Sequence, residues 1–266
     1  MPTLPTPLEL LLDPVSLVVF TLYGTLLLWE ALAPARTLPA VPRWQARAFT
    51  SFAVYFLLSS YLPLLWSETL AQHQLFDLTA LGTWVGAAAG LVIYELFAYA
   101  YHRGMHASDL LFRVVHQMHH SAERLDGASA FWFSPLDMIG WTALFSLALT
   151  LVVGLTPEAT TIVLLAATLM AIFQHLNVRT PQWLGYLVQR PESHSHHHER
   201  GVHARNYADL PLIDLLFGTF YNPREFAPAT GFIDGASARV VDMLLGRDVS
   251  QPAEEFDNRA GAPRPS

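Results

Sequence analysis

The chain has 266 residues, 52% hydrophobic and 14% charged, with a mean hydropathy of +0.31 and a formal net charge of −7. A soluble domain carries about 25% charged residues, so the deficit points to a membrane, and the acidic balance argues against nucleic acid as a partner. There is no cysteine, which excludes disulfides, thiolate ligands, iron–sulfur clusters and a cysteine nucleophile.

In chain order, apolar stretches at about 16–33, 48–66, 84–101, 138–155 and 159–176 are long enough to cross a bilayer. The last two are parted by Gly154-Leu155-Thr156-Pro157-Glu158, which predicts a helical hairpin. Trp29, Trp66, Trp84 and Trp141 fall near span ends, as an interfacial aromatic belt would place them. The first 15 residues lack the basic start of a signal peptide, so the first span is expected to be retained.

All basic residues are arginine, and they are sorted. Arg36, Arg43 and Arg47 lie between the first two spans, Arg103, Arg113 and Arg124 between the third and fourth, and the rest after the fifth. The N-terminus, the 67–83 loop and the 154–158 turn have none. With five spans every arginine falls on one face, the cytoplasmic one by the positive-inside rule. A soluble bundle has no reason to sort its arginines so. The expected fold is therefore all-α: a multi-span transmembrane bundle of about five spans under a cytoplasmic helical cap formed by 102–137 and 177–266. The setting expected is a bacterial inner membrane. Residues after about 250 read as a disordered end.

Twelve histidines carry the functional signal. His102 and His106 form H-x-x-x-H at the end of the third span; His116, His119 and His120 form H-x-x-H-H; His194, His197 and His198 repeat that pattern; His175 stands alone at the cytoplasmic end of the fifth span. Residues at i, i+3 and i+4 neighbour one another on a helix. The topology puts all four groups at one membrane face, so nine imidazoles can converge. Nine exceed the ligand set of one ion, and two ions sharing them is the natural count. The internal His-Ser-His-His-His at 194–198 is no purification tag. His196, by helical geometry, is expected to face away from its neighbours; His203 is left open, at most a supporting group; His73 lies on the opposite face. Imidazole suits iron, copper, zinc and nickel alike, but an inert C–H bond in a lipid calls for redox chemistry rather than a hydrolytic zinc-bound water.

The stretches Tyr101-His102-Arg103-Gly104-Met105-His106, Val115-His116-Gln117-Met118-His119-His120-Ser121, Glu123-Arg124-Leu125-Asp126, and Phe131-Trp132-Phe133-Ser134-Pro135-Leu136 follow one another in a familiar order. So do Phe173-Gln174-His175-Leu176-Asn177-Val178-Arg179, Pro191–His198 and Asn206–Thr219. In type, spacing and order they resemble the fatty acid hydroxylase / sterol desaturase superfamily of integral membrane di-iron enzymes. The resemblance covers about 84–222 and divides the chain into N-terminal spans (1–83), a catalytic region (84–222) and a partly disordered cytoplasmic tail (223–266). It implies His102, His106, His116, His119, His120, His175, His194, His197 and His198 as metal ligands. Glu199 and Ala208 depart from the pattern, which usually has Ser and Gly there.

Glu95, two turns before His102, is a candidate to accept an N–H bond from a ligand imidazole; Asp126, Asn206, Asp209 and Asp214 are further candidates. The resemblance implies two Fe ions, exchangeable for zinc on purification, with O2 as co-substrate. Sterols, fatty acyl lipids, alkylglycerols and carotenoids are the implied substrates, hydroxylated or desaturated. No dinucleotide motif is present, so electrons are expected from an external ferredoxin or cytochrome with its reductase. Lateral entry of the lipid past Phe97, Phe131, Trp132 and Phe133 is expected. A membrane zinc hydrolase and a metal transporter are the alternatives; transport is disfavoured because mid-membrane depth offers essentially Glu95 alone.

Overall fold

The computed structural model describes residues 4–252; the sequence end expected to be disordered lies almost wholly outside them. The chain is helical almost throughout. A short α1 (Pro7–Leu12) leads into α2 (Pro14–Leu32), started by the Asp13 carboxylate on the N–H groups of Val15 and Ser16. Then come α3 (Trp44–Gln72), β1 (Phe76–Asp77) and α4 (Gly82–His106). Next are α5 (Asp109–Leu111), a π-helical turn at Phe112–His116 and α6 (Gln117–His120). Ser134 caps α7 (Pro135–Ser146), which runs on through a π-helical stretch (Leu147–Val152) to β2 (Val153–Gly154). Thr156 caps α8 (Pro157–Phe173), and α9 (Pro191–His197), α10 (Pro211–Phe217) and α11 (Val240–Leu244) complete the order.

Among the described residues four helical runs are long and apolar enough to cross a membrane: Pro14–Leu32, Trp44–Gln72, Thr79–His106 and Pro135–Val152. The fifth expected span is the apolar α8, shorter at 17 residues. It packs along α4, where a Cβ on Gly90 would meet Leu155, Val163 and Leu149. Small residues at a helix crossing let backbones approach in a medium that gives apolar side chains no drive to leave it. α3 packs on α7, and α2 on α8.

The two ends of the bundle differ as the arginines predict. At one end β1 pairs in parallel with β2, joining the arginine-free 73–81 loop to the 153–156 turn. At the other end the arginine-bearing segments are tied together. Arg36 donates to Asn177 and to the Ala227 carbonyl, Arg47 to the Ser237 carbonyl, and Arg124 to the Pro39 carbonyl. Trp44, Met118, Trp132, Phe232 and Met243 form the core of this cap. Residues 223–252 thus fold onto it rather than trail away.

Candidate metal centre

All nine histidines singled out by spacing meet inside the cap, in two groups. His102, His106, His116, His120 and His197 form one; His119, His175, His194 and His198 form the other. Within each group the facing ring nitrogens lie within 4.8 Å of one another. The pairs at i, i+4 (102/106, 116/120 and 194/198) stay in one group, whereas the i+3 residues His119 and His197 cross to the other. At 100° per residue, i+4 lies about 40° to one side of i and i+3 about 60° to the other. Each H-x-x-H-H therefore straddles both groups and holds them side by side.

Hydrogen bonds fix which nitrogen faces inward. Nδ1 of His102 donates to the Tyr207 carbonyl (2.8 Å), that of His106 to the His203 carbonyl (2.9 Å), and that of His197 to the Arg205 carbonyl (2.7 Å). Nδ1 of His116 donates to the carboxylate of Asp137 (2.7 Å). These four rings turn bare Nε2 lone pairs toward a common point. The Nε2 atoms of His102 and His116 lie 3.1 Å apart, and those of His120 and His197 also 3.1 Å. In the second group Nε2 of His175 is 3.2 Å from that of His119 and 3.1 Å from that of His194, and the His194–His198 pair is at 3.1 Å. Two nitrogens about 2.1 Å from one ion stand about 3.0 Å apart at 90° and about 3.4 Å at 109°. The spacing fits shared cations.

Electrostatics agree. Burial, above all, holds His119, His120, His194, His197 and His198 well below the usual imidazole range, with neighbouring imidazoles adding to it. Burial brings His175 down to about 4, against its bond to the Ala171 carbonyl. Buried neutral imidazoles with clustered lone pairs repel one another unless a cation sits among them.

The 203–207 loop delivers three carbonyls to one group. His203, Arg205 and Asn206 all have positive φ (44°, 71° and 50°), strained for residues with a Cβ. This brings the carbonyls of alternate residues 203, 205 and 207 to His106, His197 and His102. The loop is anchored from behind. Asp214 accepts from the N–H groups of Tyr207 and Ala208, and Glu95 from those of Asp209 and Leu210. The Asn206 side chain bonds the Ser193 and Tyr221 carbonyls.

This corrects the expected role of the four carboxylates and of the Asn206 amide. None of Glu95, Asp126, Asn206, Asp209 and Asp214 bonds an imidazole. Glu95, Asn206 and Asp214 hold the loop that does; Asp209 accepts from Gln174; Asp126 accepts from Trp44 and Arg124 beneath the cap. Among the described residues, the carboxylate on one of the nine grouped histidines is Asp137, which sequence reasoning missed. It sits in the first turn of an apolar helix, where it reads as an ordinary N-terminal acid. The one available signal was its following Phe131–Leu136 directly. His196 joins neither group and pairs with Glu199. His203 places its own Nδ1 3.0 Å from that of His120, outside both groups. His73 only bonds the Thr69 carbonyl at the far end of α3.

A cavity of about 160 Å³ runs from His102, His116, His119, His175 and His194 into the bundle. Its walls include Tyr55 and Pro63 of α3, Tyr94 of α4, Thr142 of α7, and Leu164 and Thr168 of α8. Phe131 and Phe133 line it as expected, but Phe97 and Trp132 do not. Phe97 faces outward, and Trp132 packs against Trp44 with ring centroids 5.5 Å apart. An inverse γ-turn at Trp132 (φ −76°, ψ 77°), closed by the Phe133 N–H on the Phe131 carbonyl at 2.9 Å, turns it to the side opposite its neighbours.

Apolar helices long enough to span a membrane, joined at one end by two histidine groups that could hold metal ions above a cavity, define the class of protein. The comparison with protein families agrees. The model of the fatty acid hydroxylase family matches residues 87–219, half of the chain, and the protein belongs to that family, within the fatty acid hydroxylase/sterol desaturase superfamily. Searches of curated proteins and of solved structures gave no match. Its family and its apolar helices make it an integral membrane protein, and the family is one of oxidoreductases.

Proposed function

We propose that the protein is a di-iron, O2-dependent oxidoreductase that hydroxylates a C–H bond of a lipid drawn from the bilayer, such as a sterol or fatty acyl lipid. Desaturation is the alternative outcome of the same site. The observation that carries this reading is the meeting of nine imidazoles, four with bare lone pairs fixed inward, at the head of a cavity that descends between spanning helices.

His102, His106, His116, His120 and His197 would hold one ion and His119, His175, His194 and His198 the other. When bound, the two irons supply O2 activation and the removal of hydrogen from an unactivated C–H bond. The protein's own residues do the rest. Asp137 and the carbonyls of 203, 205 and 207 keep the protons on Nδ1, so that Nε2 remains free to ligate. Tyr55, Phe131, Phe133 and Phe145 present an apolar wall that aligns an aliphatic segment under the imidazoles and keeps water from it. Hydroxylation consumes one O2, two electrons and two protons and yields the alcohol and one water. The electrons are assigned to an external ferredoxin or cytochrome with its reductase, and the arginine-bearing end that they must reach is assigned to the cytoplasm.

The test is lipid analysis of membranes with and without the expressed chain, under 18O2. The reading expects a lipid heavier by one labelled oxygen, or one lighter by two hydrogens. A product formed without O2, or supported by zinc alone, would overturn it in favour of a hydrolase.

A further inference from the structure

We propose that one face of the cap lies in the bilayer itself, at the boundary between headgroups and acyl chains, rather than in the aqueous phase. Two chain segments build this face: the 3₁₀ turn at Gln182–Tyr186 with Leu187, and α10. They pack on each other, with Tyr186 and Phe220 at 5.6 Å. Together they expose Trp183 (63%), Tyr186, Leu187, Leu212, Leu216 (68%) and Phe217. Neither 181–189 nor 207–221 presents a free charge outward. The acids there turn in, Asp214 onto the backbone of Tyr207 and Ala208, and Asp209 onto Gln174. A soluble surface of that length would carry about six charges.

The neighbours of this face say what covers it. Phe217 stacks on Tyr99 of α4 at 4.7 Å, and Ile213 buries against the same residue. Beside Tyr99, the exposed Val92, Leu96 and Ala100 of α4 form the outward apolar face of a spanning helix. The α10 surface adjoins that face through Phe217 on Tyr99. Its depth is marked by Arg103, whose guanidinium donates to the Tyr99 hydroxyl. Along α4 the Tyr99 backbone lies four residues, about 6 Å, to the membrane side of the Arg103 backbone, and the guanidinium reaches back across that rise. Arginine reaching back from a span end marks the headgroup level, and exposed Trp and Tyr are typical of the same depth. Elsewhere on the cap, exposed leucines are interspersed with exposed charge: Leu110 and Leu111 with Asp109 and Arg113, Leu244 and Leu245 with Arg247. The face built by these two segments, rimmed by Arg224 on Gln182 and Arg205 over Tyr221, is thus particular to the side adjoining α4.

The absence of cysteine makes the test direct. Single cysteines at Leu216 and Trp183 would carry nitroxide spin labels, with Val92→Cys as the lipid reference and Asp234→Cys, 93% exposed at its side chain, as the water reference. Each labelled full-length chain is placed in lipid nanodiscs, checked for unchanged elution, and relaxed with O2 and with a neutral nickel chelate. The proposal expects Leu216 and Trp183 to favour O2 over the chelate as Val92 does, at a shallower depth. Chelate access at Leu216 equal to that at Asp234 would overturn it. So would shielding from both reagents with spin–spin broadening that disappears on dilution with unlabelled chain, which would make the face a contact between copies.

Discussion

The Nδ1–H of His116 donates to the carboxylate of Asp137 across 2.7 Å, and both side chains are buried. Among the described residues no other imidazole of the nine has an anion as partner; Nδ1 of the rest faces a backbone carbonyl, another imidazole, or no hydrogen-bonding atom. An anionic partner fixes the tautomer and makes Nε2 a stronger donor to a metal. Asp137→Asn should lower metal affinity or turnover about 10–100-fold, while the protein elutes normally in detergent. Asp126→Asn, whose carboxylate serves Trp44 and Arg124, should leave both unchanged per folded protein. Equal effects of the two would make Asp137 a packing residue.

The carbonyl loop predicts a site-selective lesion. Asp214→Ala strips the acceptor from the N–H groups of Tyr207 and Ala208, and a buried N–H left without a partner costs about 1–3 kcal/mol. Among the described residues, the hydrogen bonds of the 203–207 loop to grouped imidazoles all go to the five-histidine group. Metal content should therefore fall from two toward one per chain, and Glu95→Ala should act the same way. Glu95→Gln, which keeps an acceptor oxygen, should retain most of the metal. Loss of both ions together in Asp214→Ala would show that the loop supports the whole cap instead.

Neighbouring histidines should separate sharply. His119→Ala, His120→Ala, His197→Ala and His198→Ala each remove an inward nitrogen and should abolish turnover. His196→Ala and His73→Ala, whose rings serve Glu199 and the Thr69 carbonyl, should keep most of it. Activity per folded protein is the quantity to compare. A His196→Ala variant as damaged as His197→Ala would contradict the assignment.

Metal retention should resist mild acid. The folded pKa of His175 is about 4, below the ordinary imidazole value of 6.5, and those of His119, His194 and His198 are also depressed. A lowered pKa keeps the neutral, ligating form as pH falls through 6.5; it is lost only toward 4. Metal content after desalting should stay level from pH 7 to 5 and drop near or below 4. A loss centred at 6.5 would mean exposed ligands.

The sequence made the histidines legible because their chemistry is written in side chains at helical spacing. It made the ends of the bundle legible because the arginines are sorted. It did not reveal the carbonyls of 203, 205 and 207, since their aim comes from left-handed backbone at His203, Arg205 and Asn206, which no side chain announces. Asp137 was hidden in a helix start that reads as apolar, and Glu95 was noticed but assigned an imidazole when it holds backbone. The division of each triad between two groups follows from helix geometry, yet it shows only once the partner helices are in place. The apolar face of α10 was concealed by Asp209 and Asp214, whose charges turn inward.

The central claim is that these nine imidazoles hold two iron ions. It is tested most directly by elemental analysis and Mössbauer spectroscopy of protein expressed with 57Fe and purified without added metal, followed by chelation and reloading. The account predicts close to two irons per chain, in two inequivalent environments reflecting five and four histidines, and turnover restored by Fe(II) alone; zinc acquired by exchange would be inactive. One ion per chain, or full activity with zinc, would contradict it.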